Sequence, residues 1–169
     1  MKAQNHNPLN QLKSPVNISK LPANSFVDYE LTKDQDWVRE LLVELNEKAS
    51  VLPEGMKLDQ TRLDITFEIQ RRFKGEYGEF VLCKGQIDAV FFTECIKTLA
   101  TMKDTVTCEF KAMFLDSSFA EKPEYEELTE SYFDQEIYDL YFFDRRMVNL
   151  KEMLHEVIWL NLNPYPVRD

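Results

Sequence analysis

The sequence predicts an α+β fold, in which an antiparallel β-sheet, open or barrel-like, is packed by two amphipathic helices. Apolar and polar residues alternate over residues 63–73 and again over residues 105–114, which is the period of strands with one buried face. Apolar residues recur at helical spacing after Thr32 and again after Asn149. These two patterns together indicate a sheet whose buried face is covered by helices.

The N-terminal residues 1–24 are predicted to form a flexible, mobile arm. They are rich in Asn, Gln, Ser, Lys and Pro and hold only isolated apolar residues. The later part of this arm either stays free or drapes over the domain. Residues 25–169 are expected to form a single α+β domain, because 44% apolar and 12% aromatic residues suffice for one core in a chain of 169 residues.

Two elements precede the long strands. Val27, Tyr29 and Leu31 alternate with acidic residues, as in a short strand. Thr32 and Gln35 have the spacing of a capping box, and the apolar stripe that follows predicts a helix ending near Ala49. The stripe consists of Trp37, Val38, Leu41, Leu42 and Leu45.

The central part of the chain predicts an antiparallel meander with one buried face. Its first strand begins at Leu63 and keeps Phe73 in the buried row, and Gly75 and Gly78 mark the turn that follows. Residues 80–84 and 87–95 are either two strands or one strand that continues through a kink or bulge at Gly85. Residues 105–114 form the clearest strand.

The last third of the chain begins with an acidic stretch. Residues 116–136 are either a solvated connection or a surface that binds a partner. Residues 137–142 can form another strand, and Asp144 with the two arginines after it turns the chain into the final helix. Asn149 is a suitable N-cap for that helix, with Glu152 three residues on.

Trp159 and His155 lie away from the main apolar stripe of the final helix. Either the arm or another element covers this second face, or Trp159 is exposed to a partner. His155 could serve in acid–base chemistry, but no nucleophile pattern accompanies it, so a partner-facing or structural role is the better interpretation.

Composition bounds the function. The 20 Lys and Arg residues against 30 Asp and Glu residues give a net charge of −10, which opposes attraction to nucleic acid or anionic lipid. The sequence has neither a signal peptide nor an apolar run long enough for a membrane span, so a cytoplasmic protein without membrane contact is expected.

No catalytic, cofactor-binding or metal-binding residues are predicted. Glycine-rich phosphate-binding motifs are absent, and a carboxylate hydrolase would lack a second convergent group. Cys83, Cys95 and Cys108 are widely spaced, and no histidine lies near them in the sequence, so buried reduced thiols are favoured over a metal site.

A basic cluster is the one local exception to the acidic composition. Arg71, Arg72 and Lys74 follow each other closely, and Arg145 and Arg146 form a second pair. The cluster is either the ordinary exposed end of a strand and a turn, or a patch that contacts RNA phosphates beside aromatic side chains.

The order of elements, together with two motifs, resembles the YceD-like family over about residues 60–167. Cys95 matches the second cysteine of the family's Cys-x-x-Cys-Leu motif, while Phe92 takes the place of the first. In the closing helix, Asn149 stands where the family has Asp, Leu150 matches the family's Leu, and Pro166 matches its later proline. Many members continue with further cysteines, whereas this chain stops at Asp169, so no metal site is expected.

The resemblance implies a non-enzymatic role in the assembly of the large ribosomal subunit or the accumulation of its RNA. Members of the family are often encoded beside a large-subunit ribosomal protein. Given the net charge of −10, we expect a basic ribosomal protein or assembly factor as the partner, with RNA contacted only through the basic cluster. The alternative is an acidic adaptor unrelated to ribosomes; the oligomeric state stays open.

Overall fold

The computed structural model describes residues 12–47 and 58–167. The strands in these ranges are β1 (Val16–Asn17), β2 (Val27–Leu31), β3 (Arg62–Lys74), β4 (Gly78–Glu94), β5 (Thr101–Asp116), β6 (Glu130–Phe133), β7 (Glu136–Phe143) and β8 (Met147–Val148). The helices are α1 (Asp36–Asn46) and α2 (Leu150–Leu160). Six strands form the main sheet in the order β2-β3-β4-β5-β7-β6, and β1 pairs with β8 in a separate short ladder.

The predicted α+β class is confirmed, and β2, β3, β4 and β5 pair antiparallel as predicted. The sheet as a whole is mixed and open, so a wholly antiparallel sheet and the barrel-like alternative are wrong. β5 and β7 run parallel from the pair Ala112↔Asp139 to the pair Asp116↔Phe143. A parallel pair requires a long crossover, and the acidic stretch after β5 supplies it. The sheet does not close because its two edge strands, β2 and β6, each have one neighbour.

β4 passes through Gly85 as one continuous strand without a bulge. The pair Phe67↔Gly85 lies in unbroken register with the pairs on either side of it. A Cβ atom at position 85 would overlap the Thr66 carbonyl oxygen and the Phe67 Cβ. Glycine at this position therefore allows β3 and β4 to approach more closely than any other residue would.

One face of the sheet, which we call the core face, packs against both helices and the N-terminal segment. Its central residues include Ile65 on β3 and Ile87 on β4, both fully buried. The helices contribute the remaining layer: α1 buries Trp37, Val38, Leu41, Leu42 and Leu45, and α2 buries Leu150, Met153, Leu154, Val157 and Ile158. Burial of this apolar surface is the main stabilising contribution to the fold.

The boundary predicted at residue 24 does not separate a mobile arm from the domain. Leu12, Val16, Ile18 and Leu21 are buried in the main core, and Trp37 donates its indole N–H to the Leu12 carbonyl at 2.6 Å. Of the two alternatives for the later part of the arm, the structure shows the one in which it packs on the domain, since these apolar side chains belong to the main core. Residues 1–11 lie outside the described residues.

The two helix starts differ from each other. Asn149 caps α2, because its side chain accepts the Glu152 N–H at 3.0 Å, as predicted. The N-terminal segment adds a second cap, since the Ser14 hydroxyl accepts the Lys151 N–H at 2.8 Å. The capping box predicted for α1 is wrong: its N-cap is Gln35, whose side chain makes no capping hydrogen bond.

α1 ends at Asn46, and the end predicted near Ala49 and the loop at residues 52–55 lie outside the described residues. Asn46 is buried and joins three elements. Its side chain donates to the Thr61 hydroxyl at 3.2 Å and accepts the Phe92 N–H at 2.8 Å. This contact connects the end of α1 to β4 and to the start of β3.

A second, smaller core lies on the opposite face at one end of the sheet, where the sequence predicts exposure. Its members are Phe80, Leu82, Met113, Leu115, Phe133 and Tyr138. The β6–β7 hairpin and the crossover cover this end, so strands β4 and β5 are buried on both faces there. The predicted alternation fails in the same region, where Gln70 is buried and Phe73 is 72% exposed.

Candidate functional site

An open groove crosses the middle of the sheet on the face opposite to the core face, which we call the groove face. Cross-strand register aligns its side chains in two rows, Asp28, Glu68, Lys84 and Lys111 in one, and Glu30, Thr66, Gln86 and Glu109 in the other. The part of the sheet around Gly85, between the two rows, forms the floor of the groove. The groove has a volume of about 470 Å³. These eight side chains define the acidic groove.

The two lysines of the acidic groove are held at one end by a carboxylate from β7. Lys84 and Lys111 lie 3.5 and 3.1 Å from the Glu136 carboxylate. The Tyr138 hydroxyl also donates to Glu136 at 3.1 Å. Hydrogen bonds from Lys111 and Tyr138 lower the pKa of Glu136, while burial and the nearby carboxylate raise the pKa of Tyr138 to about 12.

The acidic side chains of the groove are not neutralised in this way. Within the described ranges, no cation lies within salt-bridge distance of Asp28, Glu30, Glu68 or Glu109. Counting Glu136, five carboxylates face two lysines, which leaves three negative charges along the groove. Because the floor is protein and the opening faces water, these charges create a negative potential that attracts cations.

The next row of side chains on the groove face adds two carboxylates, whose charge an arginine of the same row partly neutralises. Arg62 bridges Asp64 at 3.1 Å and Asp88 at 2.9 Å across β3 and β4. All three side chains are substantially exposed, so the bridge contributes little to stability. One arginine against two aspartates leaves one further negative charge in this row.

The basic cluster predicted from the sequence is brought together but is largely neutralised. Arg146 makes a two-pronged contact with Glu79 at 2.7 and 3.4 Å, and Arg71 approaches the same carboxylate at 3.7 Å. Arg72 pairs with Asp134 at 3.9 Å. The hydrogen bond from Arg146 lowers the pKa of Glu79.

Lys74 and Arg145 are the remaining two cations of the basic cluster. Lys74 pairs with Glu76 at 3.0 Å and lies over the ring of Phe133 at 5.3 Å. Arg145 is exposed in a tight turn with a left-handed backbone and, in the described part of the chain, has no salt bridge. The ordinary interpretation, an exposed strand end and a turn, fits these pairings better than a phosphate-binding patch.

Trp159 is half-buried against the main core instead of standing free on the surface. The His155 ring stacks on it with centroids 3.9 Å apart, and His155 Nε2 lies 3.2 Å from the Glu44 carboxylate on α1. These contacts join α1 and α2. They give both side chains a structural role between the helices, while each stays half-exposed.

The residues that match motifs of the YceD-like family lie in two places, near the turn after β4 and at the start of α2. Cys95 is buried in the turn after β4, and the Ile96 N–H next to it donates to the carbonyl of buried Pro166 at 3.0 Å. Asn149 caps α2, and Leu150 is fully buried behind it. Cys95 and Pro166 thus lie near the end of β4, and Asn149 and Leu150 lie at the start of α2.

Cys83 lies on β4, Cys108 on β5 and Cys95 in the turn after β4, all as free thiols, and burial raises the pKa of the Cys83 thiol. Among the described residues, no group of three or more His, Cys, Asp and Glu side chains is arranged to hold a metal ion. The described helices also include none that is long and apolar enough to cross a membrane.

The acidic groove is the feature that sequence reasoning missed. Alternation alone predicts that Glu68 and Glu109 are exposed, yet it does not predict that they share a surface with β2, because the strand order is not encoded in the period. The signal that could have indicated the groove is Gly85 in the middle of a long strand. Comparison with protein-family models, curated proteins and solved structures finds no match for this chain.

Proposed function

We propose that this protein is a non-enzymatic binding protein that recognises a positively charged protein partner through the acidic groove. The observation that carries the proposal is the set of four unpaired carboxylates, Asp28, Glu30, Glu68 and Glu109, on an open sheet face. Lysine and arginine side chains of a partner would neutralise them, which favours fast, electrostatically guided association.

The charge distribution supports a protein partner over RNA. The acidic groove repels phosphates, and the cations of the basic cluster are occupied by Glu79, Asp134 and Glu76. A nucleic-acid-binding surface would need several lysines or arginines free to contact phosphates. Of the predicted cluster, Arg145 alone keeps an unpaired guanidinium within the described residues.

We propose further that the partner takes part in the assembly of the large ribosomal subunit, in the cytoplasm. Two features support this: the resemblance of residues 60–167 to the YceD-like family, and the net charge of −10, which suits the basic proteins of the ribosome. The partner is then a basic ribosomal protein or an assembly factor. An adaptor that binds a basic protein outside the ribosome is the second candidate, supported by the same groove without the resemblance.

Affinity purification of the tagged full chain at low and at high salt, with identification of both protein and RNA, tests the proposal. At low salt we expect basic large-subunit proteins or assembly factors, and co-sedimentation with free large subunits. These should be lost at high salt, because the Debye length falls from about 8 Å at physiological ionic strength to about 3 Å at 1 M.

Recovery of a basic partner unrelated to ribosomes would support the adaptor and contradict the ribosomal role. Tight binding of large-subunit RNA fragments with a steep salt dependence, without affinity for any basic protein, would contradict both candidates. The charge state of the groove would then be irrelevant to binding.

A further inference from the structure

One edge of β5 is open over most of its length. β5 spans Thr101–Asp116, but it pairs with β7 only from Ala112 onward. β7 turns away before that point towards the groove face, where its first residue, Glu136, contacts Lys84 and Lys111. In the described part of the chain, no strand pairs with residues 101–111 on the side away from β4.

The backbone groups that point out of this edge can be identified. Phe92 of β4 donates its N–H to the Asn46 side chain instead of to Lys103, which lies opposite it on β5. In an antiparallel ladder the backbone N–H and C=O groups of successive residues point to opposite edges of the strand. Even-numbered residues of β5 therefore bond to β4, and the N–H and C=O groups of odd-numbered residues point away from it. The Thr105 N–H fits this assignment, since it donates to the Asp104 side chain at 2.8 Å.

The outward groups of Thr107 and Glu109 therefore form a segment to which another strand can pair. Within the described ranges, neither residue makes a backbone hydrogen bond outside the sheet ladders. Such an edge is normally protected by lysines, prolines or a covering element. Here the nearest lysines are engaged elsewhere, Lys111 with Glu136 and Lys103 over the Phe92 ring at 5.6 Å.

The open edge borders a small cleft between β5 and β7, with a volume of about 250 Å³. Ile137, which is 57% exposed, gives the cleft an apolar wall, and Asp139 gives it an acidic one. Glu109 lies on the other side and also belongs to the acidic groove. The edge thus combines unpaired backbone groups, one apolar contact and uncompensated negative charge.

We propose that an extended, cationic segment of the partner adds to the edge of β5 as a further strand. This inference rests on the proposed function and names its mode of recognition. Backbone hydrogen bonds to Thr107 and Glu109 would supply affinity, while alternate lysine or arginine side chains would lie over Glu109 and the acidic groove. The side chains in between, on the other face of the added strand, would contact Ile137 and Asp139, where apolar and basic residues fit.

The probe is a synthetic peptide of about seven residues that alternates Lys and Val, with blocked ends. Two derivatives carry N-methyl groups, one at every Lys and the other at every Val, so that each loses the N–H donors of one edge but keeps its charge. A strand added to β5 uses one edge only. We therefore expect one derivative to bind at least about tenfold more weakly than the parent, and the other to bind like the parent.

Amide exchange measured by NMR on the full chain gives an independent readout. The parent peptide should slow exchange at Thr107 and Glu109, while Val106 and Phe110, whose N–H groups already bond to β4, should change little. Glu109→Gln should weaken binding of the parent, whereas Glu127→Gln on the crossover should not.

The outcomes separate this inference from the proposed function. If the peptide binds, but both derivatives bind equally or both fail, recognition by groove charge stands and strand addition is overturned. If the parent peptide does not bind at low salt, both proposals fail together. A protein that is already a dimer with protected Thr107 and Glu109 amides would also overturn the inference, because a second copy would then occupy the edge.

Discussion

Replacement of Gly85 by alanine is the sharpest test of how the sheet is built. The added Cβ would overlap the Thr66 carbonyl oxygen and the Phe67 Cβ, and it would lie 2.6 Å from the Phe67 Cα. Two of these atoms belong to the β3 backbone, so the clash cannot be relieved by a rotamer change. Overpacking of this kind costs about 1–3 kcal/mol, and we expect the upper end because strands must separate.

The free energy of unfolding can be measured in urea by the fluorescence of Trp37 and Trp159, both packed against the main core. Gly75→Ala is the matched control, because nothing lies within 4 Å of a Cβ at that position. Gly85→Ala should lower the free energy of unfolding by about 3 kcal/mol relative to this control. Equal urea midpoints for the two variants would refute the close approach of β3 and β4.

Three further changes test single contacts. Asn46→Ala should lower the free energy of unfolding by about 2 kcal/mol, since it leaves the buried Phe92 N–H without its acceptor; urea denaturation would show this, and an unchanged midpoint would speak against the contact. Asn149→Ala should cost about 1 kcal/mol through loss of the α2 cap, measured in the same way against Asn149→Ser, which keeps a capping oxygen and should be close to neutral. For Glu79, whose pKa is lowered by Arg146, stability is present above the unfolded carboxyl pKa and is lost as pH falls through the folded one. The difference in urea midpoint between wild type and Glu79→Gln should therefore shrink from neutral pH to about pH 3, and a constant difference would contradict the ion pair.

The elements with strong periodicity could be predicted from the sequence. The alternation that starts at Leu63 and the apolar stripe after Asn149 correspond to β3 and α2, because each of these segments buries one face against a single large core. Of the alternatives at Gly85, the continuous strand is right and the kink or bulge is wrong, since a missing side chain does not interrupt a ladder.

The remaining features depend on long-range pairing that no local pattern encodes. β6 is four residues long within an acidic stretch, and it is stabilised by its hairpin with β7 rather than by its own sequence. The parallel pairing of β7 with β5 depends on the path of the crossover, which brings the chain back beside β5 running in the same direction. Leu12 and Ile18 have no periodic neighbours, so their burial against the helices could not be read from composition.

The candidate site illustrates the same limit. Exposure of Glu68 and Glu109 follows from alternation, but their union with Asp28 and Glu30 requires the strand order and the register. Conversely, the sequence left a cationic patch open at Arg71 and Arg146, because Glu79, which pairs with both, comes from a different strand. The choice between the two interpretations of the basic cluster therefore depends on carboxylates that only the fold brings to it.

The central claim, recognition of a basic partner by the acidic groove, is tested most directly by two neutralised variants of equal net charge. One carries Asp28→Asn, Glu30→Gln and Glu109→Gln in the groove, and the other carries Glu124→Gln, Glu126→Gln and Glu127→Gln on the crossover. The affinity of each for the basic protein recovered in the purification is measured by titration calorimetry. We expect the groove variant to bind at least about tenfold more weakly than wild type and the crossover variant to stay within about threefold. Equal weakening of both variants, or a loss confined to the crossover variant, would contradict the account.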